Sequence, residues 1–114
     1  IEHVQLMEPY LIGGLKELLG HPLIGEVRGK GLLAGVELVK NEITGDAFDP
    51  SHQIGGYCAD RAESHGLIVR AIGDTISFCP PLIINEIEIK ELITRFEAAL
   101  DDTLVMAKQN NLLS

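Results

Sequence analysis

The segment Leu67-Ile-Val-Arg-Ala-Ile-Gly-Asp-Thr-Ile-Ser-Phe-Cys79 contains two short apolar runs on either side of a turn. The first run ends in a charged residue, Arg70, and the second, over 75–79, alternates between polar and apolar side chains. Gly73 and Asp74 lie between the two runs, and both residue types are typical of turns. Two such runs joined by a few turn residues predict a β-hairpin with strands over 67–70 and 75–79.

A third strand is predicted over 32–39, because every second residue from Leu32 is apolar, which gives the segment one consistently apolar face. Glu37 falls on the less apolar face of this strand, where it is either solvated or paired with a base on a neighbouring strand. The glycines of Gly29-Lys-Gly31 are expected to form a bend that leads into the strand. Residues 29–34 also fit the G-x-G-x-x-A pattern of dinucleotide-binding proteins, but that motif must open a helix, so dinucleotide binding is not expected here.

Three helices are predicted around these strands. The first covers 1–19, where apolar residues recur at steps of three and four, and Gly20 is expected to end it in a left-handed conformation. The second covers 51–65, with the polar loop 40–50 before it. The third begins after Asn85, because Asn85 and Glu88 have the spacing of a capping box.

The order helix, strand, helix, strand, strand, helix predicts an α+β fold. The expected architecture is a two-layer sandwich in which a small antiparallel sheet of about three strands is covered by helices. With 114 residues, the chain is long enough for one ordinary domain, over 1–114.

The charge balance argues against two classes of binding protein. The chain has 9 basic and 17 acidic residues, a formal net charge of −8. Nucleic acids and anionic membranes both require a basic face, so neither is an expected partner. No apolar run approaches the roughly 20 residues of a membrane span, and no signal peptide is visible. Because the chain begins at Ile1 within a helical pattern, we expect it to be a piece of a longer protein.

The residue types that carry most chemistry form no recognisable motif in this sequence. The four histidines share no ligand spacing, so a metal site is not expected, and His65 is best explained as a residue at a helix end. Cys58 and Cys79 lack a nucleophile signature and are interpreted as buried free thiols of a cytoplasmic protein. Arg70 has two possible roles: a solvated or Asp74-paired charge, or a ligand for a substrate carboxylate at the mouth of the sheet.

Three motifs resemble, in their order and spacing, one known enzyme domain. They are Glu26-Val-Arg-Gly-Lys-Gly-Leu-Leu-Ala-Gly-Val-Glu-Leu38, Gly66-Leu-Ile-Val-Arg70 and Gly73-Asp-Thr-Ile-Ser-Phe-Cys-Pro-Pro-Leu-Ile-Ile84. Together they are similar to the C-terminal small domain of class III aminotransferases, which are pyridoxal 5'-phosphate enzymes of fold type I. The resemblance covers essentially the whole chain.

This resemblance implies a homodimeric enzyme that works by ping-pong transamination. Its large domain, which is absent from this chain, would hold the pyridoxal phosphate and the Schiff-base lysine. None of the five lysines here lies in a matching context: Lys16, Lys30, Lys40, Lys90 and Lys108. The resemblance therefore implies no catalytic and no cofactor-binding residue in this chain, which would be inactive alone.

One substrate-binding residue is implied by the resemblance. In the ω-amino-acid/pyruvate branch of the family, an arginine before the Gly-Asp turn binds the substrate carboxylate and swings away for uncharged amines, and Arg70 stands at that position. The ornithine, acetylornithine and γ-aminobutyrate branches carry an arginine where this chain has Ser77. The resemblance therefore implies transfer of an amino group from an amine or ω-amino acid to pyruvate or a similar 2-oxo acid. The alternatives are the small domain of a class III aminomutase or decarboxylase, and a free-standing binding module without catalysis.

Overall fold

The computed structural model describes residues 1–113 and shows three helices on one four-stranded antiparallel sheet. The strand order in the sheet is β1-β2-β4-β3, so β1 and β3 are the two edges. The predicted α+β class is confirmed, with four strands instead of about three. The elements in chain order are α1 (Glu2–Lys16), β1 (Ile24–Lys30), β2 (Leu33–Leu38), a 3-10 turn (Pro50–His52), α2 (Ile54–Ser64), β3 (Arg70–Ile72), β4 (Thr75–Phe78) and α3 (Glu86–Gln109).

The segment predicted as a bend before the third strand is itself a strand, β1. It forms a hairpin with β2, and Gly31, with a φ of +61°, is the first of two turn residues between Lys30 and Leu33. Only Ile24 and Val27 of its seven residues are buried. An edge strand with so few buried positions shows no period-two apolar pattern, which is why the sequence did not reveal it.

The predicted hairpin is present, but its first strand is shifted. Residues 67–69 were expected to be part of that strand, yet pairing with β4 begins only at Arg70. The N–H of Leu67 donates instead to the carbonyl oxygen of Ala62, 2.9 Å away, which closes the end of α2. The turn has two residues, and the φ of +58° at Gly73 is the positive value that a type II′ hairpin requires at its first turn position.

The core lies between the helices and one face of the sheet, the inner face. The buried side chains of β2 and β4 point to this face, and Phe78 of β4 packs edge-on against Phe96 of α3 with ring centroids 4.8 Å apart. Helix α1 packs on β1 and β2, α2 packs on β3 and β4, and α3 packs against both of these helices. The buried strand residues of the inner face are Ile24, Val27, Ala34, Val36, Leu38, Ile76 and Phe78.

Helix boundaries agree with the sequence where local capping sets them. The capping box before α3 is confirmed: the Glu88 N–H donates to Asn85 Oδ1 at 2.8 Å, and the Asn85 N–H donates to Glu88 Oε1 at 3.1 Å. Helix α1 contains Pro9 and ends at Lys16, three residues earlier than predicted. Gly20 does have a left-handed φ of +105°, but it lies in the turn that follows the helix.

The two cysteines have different environments. Cys58 of α2 is buried, and burial raises the pKa of its thiol to about 11. Cys79 is exposed, so the prediction that both thiols are buried is wrong for this residue. Phe78 occupies the inner face at the end of β4, and the next side chain therefore points away from the core.

None of the helices within 1–113 combines the length and the apolar character that a membrane crossing requires.

Candidate functional site

The predicted substrate ligand, Arg70, is the first residue of the edge strand β3. All three residues of this strand are exposed. Arg70 pairs directly with Ser77 of β4, and the next residue, Ala71, pairs with the buried Ile76. Because side chains alternate along a strand, Arg70 projects from the face opposite the helices, which we call the outer face.

Four residues, one from each strand, form a row across the outer face. Arg28 is opposite Gly35, Gly35 is opposite Ser77, and Ser77 is opposite Arg70. The two arginines therefore stand at the two edges of the sheet, and the two residues between them are small. This row is a polar strip with a positive charge at each end.

Arg70 differs from the other arginines in its charge partners. Arg28 Nη1 lies 3.0 Å from Glu26 Oε1, Arg61 Nε lies 3.0 Å from Asp102 Oδ2, and Arg95 is paired with Glu91. Among residues 1–113, no carboxylate lies within ion-pair distance of Arg70. A guanidinium without an internal partner is available to an external carboxylate.

Asp74, the possible ion-pair partner of Arg70, is hydrogen-bonded elsewhere. Asp74 Oδ1 accepts a hydrogen bond from the Gly55 N–H in the first turn of α2, at 2.9 Å. The Asp74 carbonyl oxygen accepts from the Leu38 N–H of β2, at 2.8 Å. A Cβ atom built on Gly55 would lie 2.1 Å from the carbonyl oxygen of Gly73. The β3–β4 turn is therefore held tightly against α2, and we call these contacts of Gly55, Gly73 and Asp74 the turn contact.

His65 lies at the C-terminal end of α2, as predicted, and has a partner that the sequence did not reveal. Its Nε2 atom is 2.8 Å from Asp102 Oδ2 on α3, and Arg61 of α2 contacts the same carboxylate. Hydrogen bonds from His65 and Arg61 hold the pKa of Asp102 below its ordinary value. This cluster connects α2 to α3 and lies apart from the outer face.

Glu37 of β2 is also on the outer face, where the sequence left two possibilities open. The residues directly opposite it are Glu26 and Thr75. No basic residue therefore faces Glu37 from either neighbouring strand, and the interpretation as a solvated carboxylate is the better one.

The lysines do not fit the role of a Schiff-base residue for pyridoxal phosphate. Four of the five are exposed and Lys40 is half-buried. Glu86, through a hydrogen bond and its charge, raises the pKa of the Lys90 ammonium, whereas a nucleophilic lysine requires a lowered pKa. Among residues 1–113, Arg70 is therefore a candidate substrate ligand, and the lysines are not candidates for the Schiff base.

Comparison with known proteins gives the same family from sequence and from structure. The family model described as "Aminotransferase class-III" matches residues 1–100. A protein of Solanum lycopersicum named gamma aminobutyrate transaminase 3, chloroplastic, is 45% identical over 103 residues, which are 90% of this chain and 20% of that protein. Putrescine–pyruvate aminotransferase of Pseudomonas aeruginosa is 45% identical over 95 residues, 83% of this chain and 21% of that protein.

A crystal structure of the omega transaminase from Pseudomonas jessenii in complex with PMP superposes with a TM-score of 0.84. It is 47% identical in sequence, and the match covers 90% of this chain and 23% of that one. The chain thus spans about a fifth of the length of the curated relatives it matches. By its family model, its relatives and its fold, the chain belongs to the class III aminotransferases.

Proposed function

We propose that this chain is the small domain of an aminotransferase and that Arg70 binds the carboxylate of the amino-group acceptor. The observation that carries the proposal is the state of Arg70: within 1–113 it is the one arginine that pairs with no carboxylate, and it is exposed on the outer face. The other three arginines are neutralised by partners in the same domain. A planar guanidinium can donate two parallel hydrogen bonds to a carboxylate, which fixes both its position and its orientation.

In this proposal the enzyme transfers an amino group from an amine or ω-amino acid to pyruvate or a similar 2-oxo acid. Pyridoxal phosphate, held by a large domain and a second identical subunit, supplies the carbonyl that carries the amino group between the two substrates. Arg70 accelerates the reaction by orientation alone, because its guanidinium holds the acceptor carboxylate and transfers no proton.

Ser77 supports the choice of acceptor. It lies directly opposite Arg70, so any side chain at position 77 is next to the guanidinium on the outer face. A serine is short and uncharged, and Gly35 on its other side has no side chain. The strip beside Arg70 is therefore open, which leaves the guanidinium room to turn away when a substrate carries no carboxylate.

The test replaces Arg70 by alanine in the full-length enzyme and measures the two half-reactions by single-turnover kinetics. Loss of a charge-assisted bidentate contact costs about 1.5–3 kcal/mol. The efficiency with pyruvate should therefore fall roughly ten- to a hundredfold, since each 1.4 kcal/mol is about a factor of ten. The half-reaction with an amine that lacks a carboxylate should hardly change, and Arg70→Lys should restore only part of the loss.

Arg28→Ala is the matched control, because Arg28 lies in the same row but is already paired with Glu26. It should leave both half-reactions near their original rates. Equal loss in both half-reactions of Arg70→Ala would mean that Arg70 supports the fold. A full-length protein that transfers no amino group at all would favour the non-catalytic binding module.

A further inference from the structure

We propose that Asp74 and Gly55 are positioning residues for Arg70: by joining the β3–β4 turn to the first turn of α2, they set where the guanidinium stands. The inference rests on the proposed role of Arg70 as the ligand of the acceptor carboxylate. It assigns a function to the turn contact, whose carboxylate, that of Asp74, is four residues along the chain from Arg70.

Arg70 requires such support because its own strand is held weakly. Strand β3 has three residues, all of them exposed, and as an edge strand it pairs on one side only. Few buried apolar contacts and few backbone hydrogen bonds are the features of segments that open locally. The position of β3 therefore depends on its pairing with β4, on its packing against α2 and on the turn that joins the two strands.

The turn contact can fix the position of the hairpin because it connects the turn to two elements at once, α2 and β2. The side chain of Asp74 accepts from the Gly55 N–H of α2, and its carbonyl oxygen accepts from the Leu38 N–H of β2. The carbonyl of Gly73 rests where Gly55 lacks a side chain, so the turn and the helix are in backbone contact. Helix α2 is in turn joined to α3 through Arg61, His65 and Asp102.

A second, independent feature is that α2 lacks a cap of its own. The residue before the helix, Gln53, makes no side-chain capping hydrogen bond, and the first turn contains no acidic residue. Free N–H groups at a helix start favour a nearby carboxylate, both as an acceptor and as a negative charge at the positive end of the helix dipole. Asp74 supplies this carboxylate from the hairpin, 19 residues away in sequence. The helix start and the turn of the Arg70 hairpin therefore stabilise each other.

The consequence is specific to substrates that carry a carboxylate. Without the Asp74 carboxylate, the turn should move relative to α2, and the guanidinium of Arg70 should sample a wider range of positions. A misplaced guanidinium weakens binding of the acceptor carboxylate and leaves untouched any step that does not use it. We expect KM for pyruvate to rise about tenfold in Asp74→Ala, with a smaller change in kcat.

The experiment uses the full-length enzyme with three variants: Asp74→Ala, Asp74→Asn and Glu8→Ala. Asp74→Asn keeps an oxygen that can accept from Gly55 and should recover most of the KM for pyruvate. Glu8→Ala is the matched control, because Glu8 of α1 accepts from the Gly31 N–H and so fastens the turn of the other hairpin to a helix. It should lower stability in the same way and leave KM for pyruvate unchanged.

Hydrogen exchange supplies a readout that does not depend on activity. Amides of 70–75 should exchange faster in Asp74→Ala than in the unmodified enzyme, while amides of 24–33 should not. If Asp74→Ala fails to fold, Asp74→Ser replaces it, since its shorter side chain withdraws the acceptor from Gly55; it should raise KM in the same direction.

Provided that Arg70→Ala raises KM for pyruvate, either of two outcomes overturns the inference. The first is an unchanged KM for pyruvate in Asp74→Ala, or in Asp74→Ser if that variant replaces it. The second is a rise in KM in Glu8→Ala as large as that in the Asp74 variant. If Arg70→Ala itself leaves the reaction with pyruvate unchanged, the proposed role of Arg70 fails instead. The comparison of these variants therefore separates the two failures.

Discussion

The sheet consists of two hairpins that meet along β2 and β4, and they are built alike. Each turn has two residues and begins with a left-handed glycine, Gly31 at +61° and Gly73 at +58°. Each outer strand is an edge of the sheet, and each hairpin packs under its own helix, α1 or α2. In each, a carboxylate accepts a hydrogen bond from a backbone N–H across the helix–turn junction: Glu8 accepts from the Gly31 N–H, and Asp74 accepts from the Gly55 N–H.

The two hairpins differ in what happens to the arginine at the edge. Arg28 on β1 is paired with Glu26, two residues earlier on the same strand. Arg70 is on a strand that contains no acidic residue, and the carboxylate of the adjoining turn, Asp74, is hydrogen-bonded to α2. One scaffold therefore places a neutralised charge at one edge of the sheet and an available charge at the other. The difference lies in the acidic residues around each arginine.

The largest expected effect is on stability, because the two hairpins contribute buried side chains of different size to the core. Phe78→Ala removes a ring that is 2% exposed and packed edge-on against Phe96. Loss of a buried aromatic side chain costs about 3–5 kcal/mol. The corresponding change on the other hairpin, Val27→Ala, removes two methyl groups and should cost about 1.5 kcal/mol. Urea unfolding of the two variants measures both values, and equal losses would contradict this division of the core.

The next effect tests whether the two turns are equivalent. Gly31→Ala and Gly73→Ala both force a side chain into a left-handed conformation, which costs about 1–2 kcal/mol. A Cβ at position 31 would also lie 3.2 Å from Val4 Cγ1, whereas nothing lies within 4 Å of one at position 73. Gly31→Ala should therefore be the more destabilising change in thermal unfolding.

An asparagine tolerates the left-handed region better than alanine, so Gly73→Asn should regain much of the stability lost in Gly73→Ala. If the two alanine variants lose the same stability, the contact with α1 has no energetic weight and the turns are equivalent after all.

The sequence predicts a hairpin when its strands show apolar runs and its turn contains typical turn residues. The β3–β4 hairpin was predicted because Gly73 and Asp74 stand between two apolar runs. Strand β1 was missed because only Ile24 and Val27 are buried, and an irregularity in pairing between Ile24 and Glu26 breaks the alternation. Its polar side chains are those of an exposed edge, which a pattern of apolar residues cannot reveal.

The same distinction applies to the site. A charge at the end of an apolar run was sufficient to single out Arg70. The ion pair of Arg28 with Glu26 follows from their spacing of two only once 24–30 is known to be a strand, which the sequence did not reveal. The bond from Gly55 to Asp74 could not, because it joins a helix start to a turn through tertiary packing. Because that bond engages Asp74, only the structure shows that Arg70 lacks this partner among residues 1–113.

A smaller effect tests the row that connects the two edges. Ser77→Arg places a second cation directly opposite Arg70, and like charges in that arrangement are destabilising by up to about 1 kcal/mol. Thr75→Arg is the matched control, because the same charge on the same strand and face would stand opposite Glu37. Only Ser77→Arg should lose stability, and the loss should shrink in high salt. A loss of equal size in both variants would show that the bulk of the arginine, and not its charge, is responsible.

The smallest effect concerns two polar contacts with α3, one from the segment before β1 and one from α2. His21, just before β1, contacts Asp101, while α2 contacts Asp102 through His65 and Arg61. Because these two partners hold the pKa of Asp102 below its ordinary 3.8, the carboxylate binds a proton more readily in the unfolded chain. Its contribution to stability is therefore complete above about pH 5 and is lost as the pH falls through 3.8 toward the lowered value. The Asp102 side chain is 35% exposed, so solvent screening limits the contribution to about 0.5 kcal/mol.

Asp102→Asn should accordingly flatten the acid side of the stability curve between pH 5 and 3, as measured by urea unfolding at a series of pH values. Asp101→Asn removes the same charge from the adjacent residue, where the carboxylate has a single histidine contact, and serves as the control. If the acid side flattens equally in both variants, the cause is the net charge of α3. If it flattens only in Asp102→Asn, the contacts of His65 and Arg61 with Asp102 are responsible. Acid then weakens the attachment of α2, the helix that supports the Arg70 hairpin, to α3.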